Sequence, residues 1–89
     1  MDSPRDRSQE GVASALTAYL NADIMASGSP IGPEDAFEQA GVDSLALLRI
    51  LLFVESTFGV WVPDEDLEGN VVSIRALARY VATRAEQGS

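Results

Sequence analysis

Gly41-Val42-Asp43-Ser44-Leu45 places a hydroxyl where a loop ends and the most apolar helical stretch of the chain begins. A side chain in the first turn of a helix faces solvent. The free amides and aligned dipoles there stabilise an attached phosphate by about 0.3 to 1 kcal/mol. Ser44 is therefore suited to carry a phosphodiester. Asp or Ser ahead of an apolar helix also serves as a cap, its oxygen satisfying amides that have no partner within the helix, and the two roles are compatible. Ser44 cannot be a strong nucleophile by itself. The 89-residue chain has no cysteine, histidine or lysine, which removes a thiol nucleophile, an imidazole base, a Ser-Lys pair and the common zinc constellations. Covalent chemistry at Ser44 requires activation by another enzyme, and no residue is assigned a catalytic or metal-binding role. Asp64-Glu65-Asp66 lacks the alternating oxygen ligands and central glycine of a calcium loop.

Charge narrows the partners. Fourteen acids stand against six arginines, a net charge of -8, which argues against a nucleic-acid backbone and for a basic protein partner. The acids cluster as Glu34, Asp35, Glu38 and Asp43, then as Asp64, Glu65, Asp66 and Glu68, with no base in either stretch. The plainer reading is that they keep a small domain soluble. Arg75, Arg79 and Arg84 reverse the sign near the end. A chain of this length buries only about 60 to 65% of its unfolded surface, so the core is thin and a deep catalytic cavity is disfavoured. No stretch approaches the roughly 20 apolar residues of a membrane span. The start, Met1-Asp2-Ser3-Pro4-Arg5, lacks the layout of a signal peptide. The expectation is one cytoplasmic, monomeric domain over 1–89, folded from about 4 to 84 with looser tails, that binds no membrane.

The elements that must position Ser44 are helical, and no strand alternation or internal repeat is visible. The fold class expected is all-α: a small four-helix bundle of three main helices and one short one, with a long loop after the first helix. That first helix begins near Ser3-Pro4, carries Val12, Ala15, Leu16 and Tyr19 at helical spacing, and ends by about Asn21. The connection from Ala22 to Val42 is broken by Gly28, Pro30, Gly32 and Pro33. Ile24, Ile31 and Phe37 are expected to pin it to the core, with a short turn at Asp35 to Ala40. The next helix runs from Ser44 to Phe58 and stops at Gly59. Leu47, Ile50, Leu51, Val54 and Phe58 form its core stripe. Leu45, Leu48 and Leu52 form a second stripe, more than so small a domain can bury, which predicts a docking surface unless the loop covers it. Val60 and Val62 point inward and Trp61 outward. The acidic turn from Asp64 to Glu68 breaks at Gly69-Asn70. Ser73 caps a last helix with the stripe Ile74, Leu77, Ala78 and Val81, fraying from Glu86.

The run Phe37-Glu38-Gln39-Ala40-Gly41-Val42-Asp43-Ser44-Leu45, the apolar helix, and then Phe58-Gly59-Val60-Trp61-Val62-Pro63-Asp64-Glu65-Asp66-Leu67 together resemble the acyl and peptidyl carrier proteins over about residues 8 to 83. Asp-Ser-Leu alone would be weak evidence; the ordered spacing makes it specific. The resemblance implies that Ser44, within the motif Asp43-Ser44-Leu45, receives 4'-phosphopantetheine from coenzyme A through a magnesium-dependent phosphopantetheinyl transferase. The arm's thiol then holds a substrate as a thioester, so the domain is a carrier and not a catalyst. It further implies that Leu45, Leu48, Arg49, Leu52, Glu55, Trp61, Asp64 and Glu65 contact partners: the transferase, an acyl- or aminoacyl-loading enzyme, and synthase or tailoring enzymes with basic patches. An attached chain would shelter near Ile50, Leu51 and Leu67.

Departures from the pattern bear on pathway. Arg49 stands where acyl carriers of fatty acid synthesis usually have an acid, and resembles peptidyl carriers. Gly41-Val42-Asp43-Ser44-Leu45 and Pro63-Asp64-Glu65-Asp66 resemble acyl carriers instead, and Ala40 replaces a common leucine. The reading favoured is a free-standing acyl carrier of a secondary-metabolite (polyketide or related) pathway, the span from Met1 to just past the last helix being taken as that of a discrete protein. One alternative is a free-standing carrier of nonribosomal peptide synthesis. Another is a non-covalent acidic helical adaptor in which Ser44 is only a cap. An autonomous enzyme is disfavoured for want of reactive groups.

Overall fold

The computed structural model describes residues 8–24 and 29–87. Helix α1 spans Gln9–Tyr19, and Ser8 caps it by accepting a hydrogen bond from the Gly11 amide at 3.1 Å. The start expected at Ser3-Pro4 lies outside the described residues. Val12, Leu16 and Leu20 recur every four residues and are fully buried, so one stripe of the helix supplies its share of the core. The helix does not stop at Asn21: a π-helical turn carries it through Leu20–Ile24.

The Asn21 side chain then reaches across the loop. Its amide nitrogen donates to the Ile31 carbonyl at 3.2 Å, and its oxygen accepts from the Ile31 amide at 2.8 Å. Ile31 and Phe37 are buried and Ile24 packs against the core, so the three apolar residues pin the loop as expected. Further along, the Phe37 amide donates to the Val72 carbonyl at 2.8 Å and the Arg75 amide to the Pro33 carbonyl at 3.0 Å. Ala36 and Ser73 form an isolated antiparallel bridge there, and among the described residues there is no strand. The loop is thus fastened to the start of the last helix, which gives its length a structural reason.

Helix α2 is the short segment Phe37–Ala40, and α3 spans Ser44–Phe58. Ile50, Leu51, Val54 and Phe58 of α3 are buried; Leu47, expected with them, is only partly covered. Gly59 ends α3 in the left-handed region at φ 73°, donating its amide to the Glu55 carbonyl at 2.9 Å. Tyr19 of α1 stacks on Phe53 with ring centroids 4.3 Å apart, and Phe53 meets Phe58 edge-on at 6.3 Å, so aromatic contact joins α1 to α3.

After α3 the chain alternates. Val60 and Val62 are buried while Trp61 between them is exposed. A 3-10 turn follows at Asp64–Asp66, and helix α4 spans Ile74–Gln87. Ser73 caps α4 through Oγ, which accepts from the Ala76 amide at 3.1 Å. Ile74, Leu77, Ala78 and Val81 are all fully buried, and each large one among them contributes about 1.5 to 3 kcal/mol by leaving water. Fraying was expected from Glu86; α4 extends through Gln87, and residues 88 and 89 lie outside those described. Among the described residues no helix is long and apolar enough to cross a membrane.

Candidate functional site

The loop that presents Ser44 is built from a helix end and a helix start placed almost back to back. Gly41 closes α2 at φ 90°, a conformation that side chains with a Cβ rarely adopt. A Cβ added there would meet nothing within 4 Å, so the requirement for glycine is conformational and not one of space. The Val42 amide donates to the Phe37 carbonyl at 3.0 Å and turns the chain toward α3.

Asp43 then caps α3: its carboxylate accepts from the Ala46 amide at 2.9 Å, and its carbonyl accepts from the Leu47 amide at 2.8 Å. Of the two residues able to cap this helix Asp43 takes the bond, so the alternative in which Ser44 is only a cap has no capping bond behind it. Ser44 occupies the first helical position, is exposed, and makes no side-chain hydrogen bond among the described residues. A free hydroxyl beside uncompensated helix amides fits the chemistry of a phosphodiester attachment, because nothing in the fold has to be broken to use it.

The surface next to it is apolar. Leu45 is 69% exposed, Leu48 47% and Leu52 48%, so the loop does not cover the second leucine stripe. Arg49 and Glu55 are exposed on the same side of α3. Trp61 is 47% exposed, and Asp64 and Glu65 are exposed at the far end of the loop after α3. Asp66 has a structural use instead. Its carboxylate accepts from the Tyr80 hydroxyl at 2.7 Å and its carbonyl from the Asn70 side chain at 2.8 Å, which fastens the acidic turn to α4. Burial, reinforced by the bond to Asp66, raises the Tyr80 phenol above its ordinary pKa. Glu34 is likewise engaged, in an ion pair with Arg75.

The shelter expected for an attached chain would lie near Ile50, Leu51 and Leu67. Ile50 and Leu51 are packed into the core, and Leu67 lies partly buried against it. A pocket of about 250 Å³ opens elsewhere beside the serine loop, lined by Ala36, Phe37, Glu38, Val42, Leu47, Val71 and Val72. Val42 and Leu47 flank Ser44 in sequence, while Val71 and Val72 arrive from the segment before α4. Val72 is 50% exposed beside buried Val71. Helical spacing did not single out this pair. The signal available was two adjacent valines after Gly69-Asn70, which in extended chain must point to opposite sides.

Comparison with known proteins agrees with this arrangement. The family described as the phosphopantetheine attachment site matches residues 14–81, more than half of the chain. The chain is 29% identical over 73 residues to an acyl carrier protein of Helicobacter pylori strain G27, covering 81% of this chain and 87% of that one. It is 28% identical over 76 residues to the acyl carrier protein of Acidothermus cellulolyticus, covering 84% and 89%. It is 32% identical over 63 residues to a meromycolate extension acyl carrier protein of Mycolicibacterium aurum, covering 70% and 65%. The comparison with solved structures finds no match. A small all-α bundle that presents a free hydroxyl at a helix start is the arrangement a carrier domain needs. The chain belongs to the phosphopantetheine-bearing carrier family, in which acyl carrier proteins hold the group covalently and act as carriers, not catalysts.

Proposed function

We propose that Ser44 is the attachment point for 4'-phosphopantetheine. The observation that carries this reading is the division of labour at the start of α3, where Asp43 takes the capping bond and leaves the Ser44 hydroxyl unused. In the transfer the serine oxygen forms a bond to the β-phosphorus of coenzyme A as 3',5'-adenosine bisphosphate departs. The hydroxyl proton passes to a base of the transferase, since this chain has no histidine or lysine to accept it. When bound, the arm supplies the thiol that the chain lacks. Leu45, Leu48 and Leu52 give the transferase and the acyl-handling enzymes an apolar surface to grip. Arg49, Glu55, Trp61, Asp64 and Glu65 surround it, and the pocket under Val42 and Leu47 lies within reach for the first carbons of a cargo.

The cargo proposed is an acyl group of a dedicated secondary-metabolite pathway, polyketide or related, handled in the cytoplasm. Arg49 and the sparse charge on α3 argue against a housekeeping role in fatty acid synthesis, and the similarity to a carrier named for meromycolate extension supports dedication to one product. The same Arg49 favours a second reading, an aminoacyl load in nonribosomal peptide synthesis. The adaptor reading needs Ser44 as a cap and loses its support with Asp43 in that position. Intact-protein mass after incubation with coenzyme A, magnesium and a broad-specificity transferase should rise by one phosphopantetheine, and not in Ser44→Ala. Unmodified folded wild type after several active transferases would overturn the attachment reading. Trapping the native thioester and weighing the released arm separates acyl from aminoacyl cargo.

A further inference from the structure

The exposed face of α3 carries two charges, and they sit on opposite edges of the leucine stripe. At about 100° of rotation per residue, Leu45, Leu52 and Leu48 span a narrow band; Arg49 falls about 40° to one side of Leu45, and Glu55 lies beyond Leu48 on the other. Along the axis Arg49 is about 7.5 Å from Ser44 and Glu55 about 16 Å, at 1.5 Å per residue. Both side chains are exposed, and neither makes an ion pair among the described residues. The residues one turn from Arg49, at three and four positions either way, are Leu45, Ala46, Leu52 and Phe53, so no carboxylate stands within a turn of it on its own helix. In a chain of net charge -8 this is an isolated cation beside the group that partners must approach.

Docking removes that guanidinium from water. A wholly apolar partner would bury it unpaired, which costs more than the apolar contact returns, and a uniformly basic partner would repel it at the same point. Resting on the carrier reading, we propose that the α3 face docks into a groove of a partner enzyme whose floor is apolar. That groove bears a carboxylate on the rim nearer Ser44, against Arg49, and a cation on the opposite rim, against Glu55. Opposite charges on opposite edges fix the direction in which the helix lies in the groove, because a reversed helix would set like charges together. Partner choice thus rests on the sidedness of the face and not on the overall negative charge of the chain.

The test compares phosphopantetheine transfer by two purified transferases. The first carries a glutamate or aspartate on the rim that meets Arg49 and a lysine or arginine on the other; the second carries lysine and arginine on both rims. With the first, Arg49→Glu should lower kcat/KM about tenfold, the charge-conserving double swap Arg49→Glu with Glu55→Arg should lower it further, and Arg49→Gln should lie between wild type and Arg49→Glu. With the second, Arg49→Glu should raise kcat/KM severalfold. Added salt should slow wild type with the first transferase and speed the double swap. Changes of the same sign with both transferases, or none with either, overturn the proposal while leaving the carrier reading intact. Failure of both to modify wild type overturns the carrier reading instead.

Discussion

Helices α3 and α4 begin alike and end up doing different work. Each starts with a side chain that accepts from an amide three residues on, and each buries one apolar stripe. At α4 the serine is the cap: Ser73 Oγ is tied to the Ala76 amide, and the exposed side chains outside the core stripe include the cations Arg79 and Arg84. At α3 the cap is Asp43, the serine comes one residue later with its hydroxyl free, and the face away from the core carries Leu45, Leu48 and Leu52. The difference separates side chains engaged in the fold from side chains the fold leaves free. A serine that completes a helix is committed, whereas one relieved of that duty can be modified without loss of structure.

Substitutions test that contrast by how much stability each removes. Leu77→Ala, in the fully buried stripe of α4, should destabilise the domain by about 2 to 5 kcal/mol in chemical denaturation, because the cavity adds to the lost transfer energy. Removing either cap, by Asp43→Ala or Ser73→Ala, should cost about 1 kcal/mol, and the near equality of the two would show that both are structural. Tyr80→Phe should cost about 0.5 to 1.5 kcal/mol by releasing the turn at Asp66. The sign of its pH dependence follows from the raised phenol pKa. The neutral phenol is favoured in the fold, so its contribution is complete below about pH 10 and is lost as pH rises past the folded value, a loss that Tyr80→Phe should not show. Leu48→Glu should change stability by no more than about 0.5 kcal/mol, as expected of an exposed site, yet sharply lower kcat/KM with the transferase. A large loss of stability there would move Leu48 from the docking face to the core.

Much of this contrast was legible in the sequence because helical spacing sorts leucines by face. Period alone predicts Ile74, Leu77 and Val81 as buried and Leu45, Leu48 and Leu52 as surplus, and alternation alone points Trp61 outward. Local capping chemistry was harder. Asp43 and Ser44 are both good caps, and although the helix start at Ser44 was legible, only the structure shows that the Asp43 carboxylate takes the capping bond. The continuation of α1 into a π-helical turn has no pattern that announces it. The pocket beside Ser44 joins Val42 and Leu47 to Val71 and Val72, residues far apart in the chain that meet because the long loop is fastened to the start of α4. The use of Asp66 and Glu34 inside the fold was invisible for the same reason, since their partners Tyr80 and Arg75 lie on another element.

The most direct test sets the two helix-start serines against each other. Wild type, Ser44→Ala and Ser73→Ala are treated with coenzyme A, magnesium and a broad-specificity transferase, then cleaved after arginine, which separates a fragment ending at Arg49 from the fragment 50–75. Added phosphopantetheine should appear on the first fragment in wild type and in Ser73→Ala and be absent from Ser44→Ala. Phosphopantetheine on Ser44→Ala, or on fragment 50–75 of any variant, would contradict the assignment.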